Sequence, residues 1–284
     1  MGLGMRAIIS IANQKGGVGK TTTAVNLAGC LAARDERVLL VDLDGQGNAT
    51  SHLGVEIPES ENLTSYALLA DAEPDIEKLA VPVAPNLLLV PGHIALAEVD
   101  IKLFSQINRD TRLARALQSI ADGVDFVIID CPPSLGMATV NALSASTDVV
   151  ICVQTNVFAY EAVRRLLAII KVVKKELAPD LSIHALATLH RPTVNLNKSV
   201  LEKVMQNFPN QTLQTTISQT AALTEAAAAG QTIIDYANGS RGHQDYEKLT
   251  DELIRLVAER DKKGAEAAVH DLSDETETSS TAVN

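Results

Sequence analysis

Residues 6–22 read R-A-I-I-S-I-A-N-Q-K-G-G-V-G-K-T-T. The apolar run from Ala7 to Ala12 predicts a buried strand, and a helical pattern starts at Thr21. A glycine-rich loop joins them. Strand, glycine loop and helix in that order make a phosphate-binding loop, because a helix N-terminus offers unpaired N–H groups to an anion. Gly16, Gly17 and Gly19 let the backbone turn tightly and bring those groups against phosphate oxygens. Val18 and Thr22 complete the expected nucleotide-binding stretch. Lys20 is expected to reach the β- and γ-phosphates of a nucleoside triphosphate, and the Thr21 hydroxyl to sit on Mg²⁺.

Two further strands end in acids. Arg37 to Leu43, R-V-L-L-V-D-L, is continuously apolar, as in a strand buried on both faces, and leads into Asp42-Leu-Asp44-Gly45-Gln-Gly-Asn48. Asp125 to Pro133, D-F-V-I-I-D-C-P-P, ends its apolar run at Asp130 and enters a loop stiffened by two prolines. Strand-end carboxylates beside a phosphate loop are the usual place for catalysis in an open parallel sheet. Asp130 is expected to hold Mg²⁺ through a water. The implied fold is α/β: a single doubly wound, mainly parallel sheet with helices on both faces.

Elsewhere the pattern predicts a short helix near 63–70 with loop around it over 55–85, a strand at 86–90, and helices near 94–104 and 111–121. Strands follow at 147–154, 181–189 and 213–217, and a C-terminal helix at 245–260. The segment 158–177 is an amphipathic helix. Arg164, Lys171 and Lys175 fall within about 40° of arc on it, opposite Leu166, Ile169, Ile170 and Val173. Residues 157–207 hold eight Lys/Arg against four Asp/Glu. That stripe is either a solvated helix face or a surface facing DNA.

With 284 residues and 46% hydrophobic content, the chain can bury a full core. No run of 18 apolar residues exists, and the short start before the first strand does not fit a signal peptide, so a cytoplasmic protein is expected. Cys30, Cys131 and Cys152 lie far apart in apolar surroundings and read as buried free thiols. Net charge is −11, of which five acids and no Lys or Arg fall in residues 264–284, leaving −6 on the rest. That tail, from 263 to 284, is expected to be disordered beyond one phosphate-loop domain at 1–262.

The ordinary phosphate loop, G-x-x-x-x-G-K-[ST], would put its first glycine at position 14, which is Gln14, and Lys15 follows. The run Lys15-Gly-Gly-Val-Gly-Lys20-Thr-Thr resembles the deviant Walker A motif of the ParA/MinD ATPases. The segment 44–48 is similar to that family's switch D-P-Q-G-N, with Gly45 in place of proline, and Cys131 to Gly136 to its second switch. The resemblance covers residues 6–258. It implies that Lys15 crosses a dimer interface to the partner's nucleotide. It also implies that Asp44 orients the attacking water and helps position Mg²⁺. His190 to Asn195 resembles a family loop with an arginine near DNA. After the last strand the family's Pro-Arg is absent; Ser218 and Gln219 stand there, leaving backbone near Ile217, Ser218 and Gln219 to read adenine.

The resemblance thus implies an ATP- and Mg²⁺-dependent DNA partition or cargo-positioning ATPase. Its ATP-bound homodimer would bind nonspecific DNA on the nucleoid and be released by a ParB-like partner. Arg164, Lys171, Lys175, Arg191 and Lys198 are the expected phosphate contacts. A MinD-like membrane-associated ATPase is the alternative; it would carry a basic amphipathic C-terminal helix, whereas residues 264–284 are acidic and rich in hydroxyls. An iron–sulfur relative would bridge cysteines across a dimer. A tyrosine kinase relative would show a C-terminal tyrosine cluster, which this sequence lacks.

Overall fold

The computed structural model describes residues 4–154, 159–191, 202, 206, 208–209 and 211–280, and side chains within these except 159–162, 265 and 267–280. Eight strands form one sheet: β1 (Ala7–Ala12), β2 (Val38–Asp42), β3 (Val81–Ala84), β4 (Leu87–Val90), β5 (Phe126–Asp130), β6 (Asp148–Gln154), β7 (Ser182–His190) and β8 (Thr212–Ser218). Their order is β3-β4-β2-β5-β1-β6-β7-β8, and only the β3–β4 pair is antiparallel. The central strands β2 and β5 are buried at every position, as their unbroken Val/Ile/Leu runs require in a sheet covered on both faces.

Each face carries its own core. On one face α1 (Lys20–Ala32) packs with the C-terminal helix (Arg241–Ser280), through Leu27, Leu31, Tyr246, Leu249 and Leu253. On the other lie α3 (Ser65–Ala70), α5 (Val99–Leu103), α6 (Arg112–Gln118), α7 (Met137–Ala145) and α8 (Ala159–Glu176); their buried residues include Leu68, Leu103, Leu113, Leu143 and Leu166. The intervening helices α2 (Asn48–His52) and α4 (Ile76–Leu79) are single turns. Arg260 ties the C-terminal helix back to the sheet, pairing with the buried Asp148, which also bonds His184 at 3.0 Å.

The structure departs from the sequence pattern in two places. Residues 55–85, expected to hold one helix in loop, also form α4 and the edge strand β3. Val81-Pro-Val-Ala84 is too short and half-exposed to show a strand period, and Pro82 is tolerated because β3 has only one neighbour. The C-terminal helix starts four residues before the expected position and continues through Gly264 to Ser280, where a disordered tail was expected. Ala265, Ala267, Ala268 and the interspersed acids are tolerable or good helix formers, and no proline interrupts them.

Candidate functional site

The carboxyl ends of the adjacent central strands β2, β5 and β1 lie side by side at one end of the sheet. Register places Asp130 beside both Ile11 of β1 and Asp42 of β2. The loop after β1 turns through Gly17 (φ 69°) and Gly19 (φ 85°), a left-handed backbone that glycine adopts without Cβ strain. Gly19 then starts α1 with no side-chain cap, so the N–H groups of its first turn stay available to a ligand. Residues Gly16, Gly17, Gly19, Lys20, Thr21, Thr22 and Asp44 line a common cleft of about 590 Å³.

Three side chains outside the motif hold this loop, and sequence reading missed all of them. Asn13 donates to the Cys152 carbonyl at 2.6 Å and accepts from the Lys15 N–H at 2.9 Å. Thr188, at the end of β7, donates to the Val18 carbonyl at 2.7 Å. Gln154, at the end of β6, accepts from Lys15 Nζ at 3.1 Å. Lys20 is buried, and its Nζ folds back to the Lys15 carbonyl at 3.4 Å. The two lysines therefore differ: Lys20 lies inside the loop, whereas Lys15 is only partly buried and held to a neutral amide.

The acids also divide. Asp42 is fully buried and engaged: Oδ2 accepts from Thr50 N at 2.9 Å and Thr50 Oγ1 at 2.7 Å, and Oδ1 from Asp44 N at 3.2 Å. Burial outweighs these bonds and pushes its pKa up to about 6. Gly92 packs so closely that a Cβ there would stand 2.8 Å from both Asp42 Cγ and the Asp44 carbonyl. Asp44 lies in the cleft wall, its Oδ1 accepting from Gln46 N at 3.0 Å. Gly45 has only ordinary contacts around its Cβ direction, so nothing there demands glycine.

Asp130 is different again: it is fully buried and neither carboxylate oxygen has a hydrogen-bond partner among the described residues. Burial raises its pKa well above the usual carboxylate range, and the Asp42 charge adds to this. The Thr21 hydroxyl and the Lys20 ammonium pull the other way without completing a hydrogen bond to it. An orphaned carboxylate beside a hydroxyl at the base of a phosphate cleft is a donor set suited to a hard divalent cation such as Mg²⁺.

A smaller cleft of about 230 Å³ adjoins the loop through Gly19 and Thr22 and is lined by Ile217, Ser218 and Gln219, the segment expected from the family resemblance to read adenine. Leu189, a non-glycine residue at φ 50°, also lines it. The Ser218 N–H is already used by Asp245 at 2.9 Å, and Gln219 N–H by the His190 carbonyl at 3.1 Å. Carbonyl and side-chain groups are therefore what this segment has left for a base.

These features have relatives. The family model for an AAA domain matches residues 6–183. The sporulation initiation inhibitor protein Soj of Bacillus subtilis is 44% identical over 250 residues, 88% of this chain and 98% of that protein. The chromosome partitioning protein ParA of Myxococcus xanthus is 40% identical, over 87% of this chain and 88% of its own. The chain belongs to the ParA-type partition ATPases. Among solved structures, a putative plasmid partition protein of Borrelia burgdorferi bound to AMPPNP superposes with TM-score 0.74 at 26% identity, covering 88% of this chain and 98% of that one. A Mycobacterium smegmatis structure described as cobyrinic acid a,c-diamide synthase, with ADP and magnesium bound, gives TM-score 0.75 at 34% identity, covering 87% and 94%.

In this ParA-type chain the expected DNA contacts scatter. Arg164, Lys171 and Lys175 are exposed on α8, while Leu166, Ile170 and Val173 face the core. Lys175 pairs with Glu176 at 2.8 Å. Arg191 is exposed at the end of β7 and donates to Gln219 Oε1 at 2.8 Å, joining the loops after β7 and β8. Lys198 lies outside the described residues. All three cysteines are buried free thiols, and burial pushes Cys131 and Cys152 up to about 12. Among the described residues no helix is long and apolar enough to cross a membrane.

Asp130 gives a test independent of turnover. A carboxylate whose folded pKa is raised makes the fold less stable as pH rises from its unfolded value toward the folded one. Asp130→Asn removes that cost, so the nucleotide-free protein is expected to melt about 2–4 °C higher at pH 7. The further rise in Tm on adding ATP and Mg²⁺ together should shrink to that seen with ATP and EDTA. Thermal scans of both proteins check this.

Proposed function

We propose that this chain is a Mg²⁺-dependent ATPase whose ATP-bound homodimer binds DNA without sequence preference and is released when a ParB-like partner stimulates hydrolysis. The observation that carries the reading is the division of the two lysines. Lys20 is committed to its own loop, while Lys15, one residue before the cleft-lining Gly16, donates to the neutral amide of Gln154. A hydrogen bond from an ammonium to a neutral amide contributes about 1.5–3 kcal/mol, less than a charge pair with a phosphate, so a phosphate of a second subunit's nucleotide can displace it.

Within one subunit the first-turn N–H groups of α1 and Lys20 bind the phosphates. Thr21 and Asp130 would hold Mg²⁺, which neutralises phosphate charge when bound. Asp44, in the cleft wall, orients the attacking water and helps position Mg²⁺; Asp42 holds the switch in place through Thr50. The water attacks the γ-phosphorus and ADP leaves with the bridging oxygen.

The exposed face of α8 is the proposed DNA surface, and dimerisation would double it. At physiological salt the Debye length is about 8 Å, so distant acids of this −11 chain are largely screened there. Reversing Lys171 and Lys175 to Glu should weaken all DNA sequences alike and flatten the slope of log affinity against log salt, by about 0.9 for each phosphate no longer neutralised. ATP turnover without DNA should not change. Equal binding by the doubly reversed protein across a salt series would move the surface elsewhere. DNA binding of this kind would place the protein on the nucleoid.

A further inference from the structure

Away from the nucleotide cleft, α1 and the C-terminal helix bring three metal-binding side chains together. His243 and Glu247 are four apart on the C-terminal helix and so share one face, and that face meets Cys30 of α1. The Cys30 Sγ, one His243 ring nitrogen and one Glu247 oxygen all lie within 4.8 Å of one another. Thiolate, imidazole and carboxylate are the side-chain ligands of Zn²⁺, and tetrahedral ligation would set such atoms roughly 3.3–3.6 Å apart. His243 Nε2 and Glu247 Oε1 already stand at 3.7 Å, so small side-chain shifts close the set.

Two further observations point to a cation. First, His243 Nε2 is buried and has no hydrogen-bond partner among the described residues. Second, the charges match. Arg34 takes Glu247 Oε2 and Asp251 Oδ1, both at 2.7 Å, which leaves Glu247 Oε1 facing His243. Those three groups sum to one negative charge; a Cys30 thiolate makes two, which a divalent ion balances. Burial, and then the Glu247 carboxylate, push the Cys30 thiol up, so it is a poor nucleophile by itself, whereas a coordinated divalent cation removes its proton outright. Mg²⁺ does not suit this set, because it demands six oxygens. The ring has one adjustment to make. His243 Nδ1 accepts from the Gly239 N–H at 2.9 Å, and Nε2 ligates only when the ring proton sits on Nδ1. Gly239 is exposed, so water takes its N–H in exchange.

We propose that Cys30, His243 and Glu247 bind a thiophilic divalent cation of the Zn²⁺ type, with water as the fourth ligand, and that the ion staples α1 to the C-terminal helix. His243 and Glu247 are partly exposed, which gives the ion a way in and the water its place. Binding releases the thiol proton to solvent; the imidazole keeps its own, moved to Nδ1. The site shares no residue with the nucleotide cleft, so it stands or falls apart from the ATPase reading. The test uses the full chain, stripped of metal and nucleotide, with Co²⁺ as the spectroscopic probe and Zn²⁺ as its competitor. Wild type is expected to show a near-ultraviolet thiolate-to-Co²⁺ charge-transfer band that stoichiometric Zn²⁺ abolishes, and to melt higher with Zn²⁺ than without. Cys30→Ser should lose the band. His243→Ala changes a side chain at the rim of the cluster, should fold as wild type, and should weaken Zn²⁺ binding on the order of tenfold or more. Co²⁺ bound without that band would have no thiolate ligand, as at Thr21 and Asp130, and would overturn the proposal. A band that survives Cys30→Ser would place the thiolate at another cysteine, with the same consequence. Zn²⁺ affinity equal to wild type in His243→Ala would also overturn it.

Discussion

Replacing Asp44 by Ala is expected to cut ATP turnover by about 10²–10³-fold, the size of loss seen when one preorganised polar group is removed from a reacting centre. Nucleotide affinity should stay close to wild type, because in the proposed arrangement the loop after β1 and Lys20, not Asp44, bind the phosphates. Asp44 is the strand-end acid that lines the cleft while leaving one carboxylate oxygen without a backbone partner among the described residues. Asp42 is a poor substitute. Its two oxygens are engaged by Thr50 and the Asp44 N–H, and it is closed off from solvent. Single-turnover phosphate release, with a parallel titration of fluorescent ATP, separates the two effects. Turnover equal to wild type would transfer the role to another acid and make Asp42 the next to change.

The second large effect is expected at Lys15. Lys15→Ala deletes an ammonium that donates to Gln154 and leaves the Asn13–Cys152 and Thr188–Val18 bonds of the loop intact. ATP affinity of the single subunit should therefore change little. The ATP-dependent dimer should weaken by on the order of 10²-fold, the loss that follows when one partner of a buried charged pair is truncated. Sedimentation velocity with ATP and Mg²⁺ reads this directly. A dimer as tight as wild type would show that Lys15 acts within its own subunit. Gln154→Ala offers a useful contrast: it releases Lys15 from that bond and should leave the dimer as tight or tighter.

The phosphate loop and the strand-end acids are legible in the sequence because their parts are local. A glycine loop announces itself through spacing, and an apolar strand ending in an acid does so twice, at Asp42 to Asp44 and at Asp130. What could not be read were contacts between distant residues. Asn13 meets Cys152 and Lys15 meets Gln154 across 139 positions, and Thr188 reaches Val18 across 170. No period or motif encodes such pairs; they follow from β1 and β6 lying side by side and from β7 ending over the loop. Edge strand β3 was missed for a different reason: its four residues, all apolar or proline, are too few to show an alternation in sequence.

In the proposed cycle ATP, and not ADP, turns this chain into a DNA-bound dimer. It is tested most directly by sedimentation velocity of the wild-type protein with a labelled duplex, in ATP analogue with Mg²⁺ and in ADP with Mg²⁺. The expected result is a monomer that leaves the duplex free in ADP, and a dimer that co-sediments with it in the ATP analogue. Sedimentation that is the same in both nucleotides, whether free or bound, would contradict it.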